Sequence, residues 1–92
     1  MKMQNQTKTP PITEEDIWNV VCSVLQQRNA RNIALLPETR INSELSIDSV
    51  EVLDIVMEIE EKFNITIPIT ALADVETMGD LAKVVAVRVR GE

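Results

Sequence analysis

The chain has 92 residues, nine basic and fifteen acidic, with a formal net charge of −6. It contains no histidine, no tyrosine and one cysteine, Cys22, which excludes Ser–His and Cys–His catalysis, an intramolecular disulfide, and a zinc site built from those ligands. Beyond residues 1–11, which hold Lys2 and Lys8, seven bases face fifteen acids, a balance of −8; nucleic acid and anionic membrane are poor ligands for such a chain, and a basic protein surface is a good one.

The length allows one small domain. With Trp18 and Phe63 as the only aromatic residues, Val, Ile, Leu, Met and Ala must fill the core. No apolar run is long enough to span a bilayer, and the N-terminal segment has neither a hydrophobic signal core nor the arginines of a transit peptide. The sequence reads as a cytoplasmic protein without membrane insertion. Its abundant carboxylates crowd a helix face, not a recognisable cleft, so the chain does not read as an enzyme.

In chain order, residues 1–12, with Pro10-Pro11, read as a disordered lead-in, and 13–90 as the folded domain. Thr13 is placed as an N-cap with Glu14, Glu15 and Asp16 in the first turn. Ile17, Val20, Val21, Val24 and Leu25 recur at helical spacing, which predicts a helix over about 14–28. Cys22 sits at the edge of that stripe beside Trp18 and reads as a small residue at a core margin. Residues 29–47 hold no sustained helical pattern. Ile33, Leu35, Leu36, Ile41, Leu45 and Ile47 are apolar anchors for a loop lying across the helix ends, with a single helical turn expected at Pro37-Glu38-Thr39-Arg40.

A second helix is predicted over about 49–62, with Asp48 and Glu51 spaced for a capping box and Asn64 as terminator. Projected at about 100° per residue, Val52, Val56, Ile59 and Phe63 share a narrow face flanked by Leu53 and Ile55. Asp48, Glu51, Asp54, Glu58 and Glu61 form an acidic stripe on the other side, into which Val50 and Met57 project. Like charges one turn apart there cost about 0.2–0.5 kcal/mol per pair, offset in part by the helix dipole and by a Glu58–Lys62 pair. A binding role accounts for that cost better than solubility does. Ile65-Thr66-Ile67-Pro68 is too short a run for a strand. A short third helix follows at about 69–74. Thr77 and Asp80 cap a last helix with Leu81, Val84, Val85 and Val89 inward, although its VVAVRV run also has strand character. The fold class is a small all-α four-helix bundle, three main helices and a short third one, with a long first loop.

Taken alone, Ser49 is a helix-start residue whose ordinary role is to cap backbone N–H groups. Its surroundings extend that reading. Asp48-Ser49-Val50, then Leu53, Val56-Met57, Ile59-Glu60-Glu61, Phe63 and Ile67-Pro68, resemble an acyl carrier protein over about residues 13–90, most strongly over 44–68. The resemblance implies that Ser49 receives 4′-phosphopantetheine from coenzyme A through a separate phosphopantetheinyl transferase, the carrier itself being a substrate and not an enzyme. It further implies that the thiol of the arm holds acyl groups as thioesters for fatty acid, lipid or polyketide synthesis. Asp48, Val50, Glu51, Asp54, Met57, Glu60 and Glu61 would dock basic patches of transferase, synthase or ligase partners, and Val56, Ile59 and Ile67 would line an acyl-chain pocket. The charge favours a monomer.

Two departures stand out. The motif reads Asp-Ser-Val where the family has Asp-Ser-Leu, and Ser46 stands where a glycine is usual. These point to a specialised carrier. An aminoacyl, peptidyl or D-alanyl carrier, or an unmodified acidic interaction module with Ser49 only as a cap, are the alternatives.

Overall fold

The computed structural model describes residues 12–91. The lead-in predicted over 1–12 thus lies, apart from Ile12, outside the described residues. Three α-helices, α1 (Glu14–Gln26), α2 (Ser49–Phe63) and α3 (Met78–Arg90), are joined by a long loop and by a 3-10 helix at Ile69–Leu72. The all-α expectation holds. The short helix expected over 69–74 is a single 3-10 turn, because Pro68 offers no side-chain cap and the backbone bonds Ala71→Pro68 and Ala73→Thr70 both span three residues. β-Branched Ile69 and Thr70 do little to extend so short a turn into an α-helix.

Each α-helix starts with a reciprocal capping box. Thr13 and Asp16 close α1, Asp48 and Glu51 close α2, and Thr77 and Asp80 close α3. Each box satisfies two first-turn donors that would otherwise be orphaned. Asn64 ends α2 in the left-handed conformation, as Gly91 does for α3. α1 is two residues shorter than expected and relaxes into turns closed by Arg28→Leu25 and Asn29→Gln26 bonds.

The helices bury one stripe each: Ile17, Val21, Val24 and Leu25; Ile55, Val56 and Ile59; Met78, Leu81 and Val85. α1 packs against both α2 and α3. On α2 the buried face is turned toward Ile55, which is fully buried, while Leu53, its expected counterpart, is exposed.

The loop between α1 and α2 has its own anchors. Ile41, Leu45 and Ile47 are buried, Ile33 and Leu35 half-buried, whereas Leu36 is exposed. Two buried polar side chains tie it: the Asn29 amide exchanges hydrogen bonds with both backbone groups of Ile33, and the Thr39 hydroxyl donates to the Ala34 carbonyl and accepts from the Leu36 N–H. Its carbonyls then close the start of α3. Met78 N–H donates to Thr39 at 2.9 Å and Gly79 N–H to Pro37 at 2.8 Å.

That docking explains Gly79. A Cβ there would stand 2.9 Å from the Pro37 carbonyl oxygen. Alanine normally gains about 1 kcal/mol over glycine inside a helix, but here overpacking of about 1–3 kcal/mol opposes it. The Gly79→Ala protein is expected to lose about 1 kcal/mol, a fall in Tm of about 4–8 °C in a domain this small, read by thermal circular dichroism. A rise in Tm would show that the loop yields without cost.

Asp80 has its carboxyl held below the usual carboxylate range, chiefly by the backbone N–H groups of Glu76 and Thr77. Its folded value is therefore below its unfolded one. The stabilisation it gives is complete above the unfolded value, near pH 4, and is lost as pH falls through the lowered folded value. Asp80→Asn should lower stability at neutral pH and flatten the acid limb of the Tm–pH curve; an unchanged acid limb would contradict this.

Candidate functional site

α2 begins where the long loop arrives from the core. Ile47 is buried and its N–H bonds the Ile41 carbonyl, Asn42 donates to the Ile47 carbonyl, and Arg31 Nη2 holds the Glu44 carbonyl at 2.8 Å and Ser46 Oγ at 3.3 Å. Ser46 adopts φ 57°, a left-handed conformation that costs a non-glycine residue about 1–2 kcal/mol. The backbone geometry there is the kind that glycine accepts freely, and Arg31 holds the serine in it.

Asp48 is the N-cap, its carboxylate accepting from Glu51 N–H at 2.8 Å while the Glu51 side chain accepts from Asp48 N–H. Ser49 is consequently the first residue of the helix and not its cap. Its side chain is exposed and stands outside the capping box. The cap consumes the Glu51 donor, and Val52 N–H bonds the Asp48 carbonyl, so the Ser49 and Val50 N–H groups at the positive end of the helix are the ones open to an anion.

Beside Ser49 opens an apolar cleft of about 550 Å³, lined by Ile41, Asn42, Val52, Leu53, Ile69, Thr70, Leu72, Ala73 and Val75. This is the size of a small-ligand pocket. Val56, Ile59 and Ile67, expected to line the core region that an acyl chain would enter, are buried in the core, and none of them lines this cleft. The cleft walls come from three separate stretches of chain, so the pattern within any one of them does not indicate the cleft.

The residues expected on a partner face divide into three groups. Val50, Asp54, Met57 and Glu61 are all exposed and, within an arc of about 60°, point away from the core. Glu60 is half-buried and its carboxylate accepts from Ile67 N–H at 2.6 Å, pinning the segment after α2. Asp48 and Glu51 form the cap. Arg28, thirty residues from Glu58 in sequence, reaches over from the end of α1 to Glu58 at 3.4 Å and Glu51 at 3.7 Å. It relieves part of the like-charge repulsion expected along α2, and Glu58 pairs with it and not with Lys62.

Cys22 is half-buried, and burial pushes its thiol above the usual value, which leaves it a poor nucleophile at neutral pH. Among the described residues no helix is long and apolar enough to cross a membrane.

Comparison with known proteins places these features. The family described as "Phosphopantetheine attachment site" matches residues 15–85. The chain is 42% identical over 55 residues to a "Probable acyl carrier protein" of Caulobacter vibrioides, a match covering 60% of this chain and 64% of that relative. It is 30% identical over 73 residues to an acyl carrier protein of Prochlorococcus marinus, covering 78% and 91% of the two chains. It is 35% identical over 69 residues to an acyl carrier protein of Helicobacter pylori, covering 75% and 85%.

Proposed function

Because the chain belongs to the phosphopantetheine-attachment family of acyl carrier proteins, we propose that Ser49 is the residue to which 4′-phosphopantetheine is joined and that the cleft beside it receives the cargo. The observation that carries this reading is the coincidence of an exposed serine at the first position of α2 with an apolar cleft at its side.

The residues fit the group. The Ser49 hydroxyl is free of the cap, so it is available to attack the pantetheine-side phosphorus of coenzyme A, breaking the phosphoanhydride bond, releasing adenosine 3′,5′-bisphosphate and forming a phosphodiester. The base for that step comes from the transferase. The resulting phosphate stays beside the Ser49 and Val50 N–H groups and the helix dipole, which offset its repulsion from Asp48 and Glu51. When attached, the arm supplies a thiol for thioester formation; the chain supplies position, a cleft and a docking face. On this reading the chain is a carried substrate and not a catalyst.

The cleft favours acyl over aminoacyl cargo. Its walls are mostly aliphatic and include no carboxylate to meet an ammonium group. Because the cleft is open while Val56, Ile59 and Ile67 are packed, the cleft is the first surface a fatty chain meets. The partners are a phosphopantetheinyl transferase and synthase, acyl-transfer or ligase enzymes of fatty acid, lipid or polyketide synthesis that bear basic patches. The carrier acts as a cytoplasmic monomer. The test is intact-mass measurement after incubation with coenzyme A, magnesium and a broad-specificity transferase, then with those of the native host. A gain of one phosphopantetheine is expected; no gain with either overturns the reading.

A further inference from the structure

We propose that Arg28 sets partner specificity by withdrawing Glu51 and Glu58 from the docking face of α2, so that partners read an alternating apolar and acidic ladder of Val50, Asp54, Met57 and Glu61. This rests on α2 being the docking face of a carrier.

The geometry separates the carboxylates by role. Val50, Asp54, Met57 and Glu61 follow one another at spacings of four, three and four, and lie diametrically opposite the Val52, Val56, Ile59 and Phe63 face. Val50 is 69% exposed and Met57 59%, far more than the solvation of a helix requires of apolar side chains. Glu51 and Glu58 stand about 70–90° round the helix from the centre of that ladder, nearest to Asp54, on the flank facing α1, where one guanidinium holds both. The Arg28 side chain is the least exposed of the three, and its Nε is buried without a hydrogen-bond partner among the described residues. Arg28 is thus lodged between the helices, where a visiting cation does not easily displace it. On the opposite flank Glu60 is committed to Ile67 N–H.

The ladder specifies its occupant. Asp54 and Glu61 are two turns apart, about 10 Å along the axis. The complementary surface therefore carries two arginine or lysine side chains at that separation, with an apolar seat between them for Met57 and a second beside Val50. A partner built to grip an acid at the Glu51 or Glu58 position meets Arg28 there and is repelled.

Initial rates of modification by a broad-specificity phosphopantetheinyl transferase, with coenzyme A as donor, test this across a range of salt. Asp54→Asn and Glu61→Gln are each expected to lower kcat/KM about five- to tenfold at low salt, mostly through KM. Glu58→Gln should stay within about twofold of the parent. Arg28→Gln frees two carboxylates, so kcat/KM should rise about two- to threefold at low salt with a steeper salt dependence, and adding Glu58→Gln should reverse part of that rise. A purely structural role for Arg28 would leave the salt dependence unmoved. The proposal is overturned if Glu58→Gln is as damaging as Asp54→Asn, or if folded Arg28→Gln protein matches or falls below the parent. Should Arg28→Gln unfold by circular dichroism, the ranking of Asp54 and Glu61 against Glu58 decides alone. An unmodified parent overturns the Ser49 reading, and this proposal with it; a modified parent with the wrong ranking overturns only this proposal.

Discussion

Ser49→Ala protein is expected to take up no phosphopantetheine while keeping its fold and most of its stability. The two effects separate because the residue proposed for attachment is not one of the two that cap the helix. Asp48 and Glu51 make the cap, so removing the Ser49 hydroxyl deletes none of its bonds, and alanine is the better helix former by up to about 0.5 kcal/mol. Its Tm should lie within about 3 °C of the parent. Asp48→Ala is the complementary variant: it removes a carboxylate that accepts from Glu51 N–H and should cost about 1 kcal/mol, although Ser49 is intact. Intact mass and thermal unfolding of the two proteins separate the roles. A Ser49→Ala protein that still gains the arm, or that unfolds, would refute the division.

The largest effect on stability is expected from Ile59→Ala. Ile59 is fully buried on α2, and truncating such a residue costs about 2–5 kcal/mol through lost transfer energy and the cavity left behind. The total stability of so small a domain is about 5–10 kcal/mol, so the variant should show a urea midpoint near half that of the parent. Leu53→Ala is the control. Leu53 is 40% exposed at the cleft wall and should cost about 1 kcal/mol or less. Acyl loading provides a second readout. A chain lying in the open cleft leaves the Ile59→Ala deficit in place, whereas a chain entering the core at Ile59 restores stability to that variant alone. Equal losses for Ile59→Ala and Leu53→Ala would contradict the packing described above.

The helix starts were legible because capping is local chemistry. Thr13 with Asp16, Asp48 with Glu51 and Thr77 with Asp80 each announce a first turn within four residues of sequence, and each box forms. The strand-like VVAVRV run folds as helix because the Thr77–Asp80 cap is present and the described residues hold no strand for it to pair with. The core stripes followed from periodicity, with the face of α2 displaced toward Ile55 because α1 packs on that flank.

What was hidden depends on contacts between distant residues. Arg28 lies beyond the predicted inward stripe of α1, and nothing near it in sequence indicates Glu51 or Glu58. The closure of α3 by the Pro37 and Thr39 carbonyls involves backbone atoms, which carry no side-chain signature; only the lone internal Gly79 marks the approach. The cleft beside Ser49 draws on residues from 41 to 75, so it exists only once the loop, α2 and the 3-10 turn are assembled. Ser49 is proposed as the attachment residue from its neighbours in sequence; the structure adds that it is exposed at the first turn of α2.

The most direct test is fragmentation of the tryptic peptide spanning residues 41–62 from protein loaded by the transferase. Cleavage after Arg40 and Lys62 leaves Ser43, Ser46 and Ser49 in one peptide with no internal Lys or Arg. Fragment ions that carry the added mass at Ser49, with Ser43 and Ser46 unmodified, are the predicted result. Added mass on Ser43 or Ser46, or on a different peptide, would contradict the account.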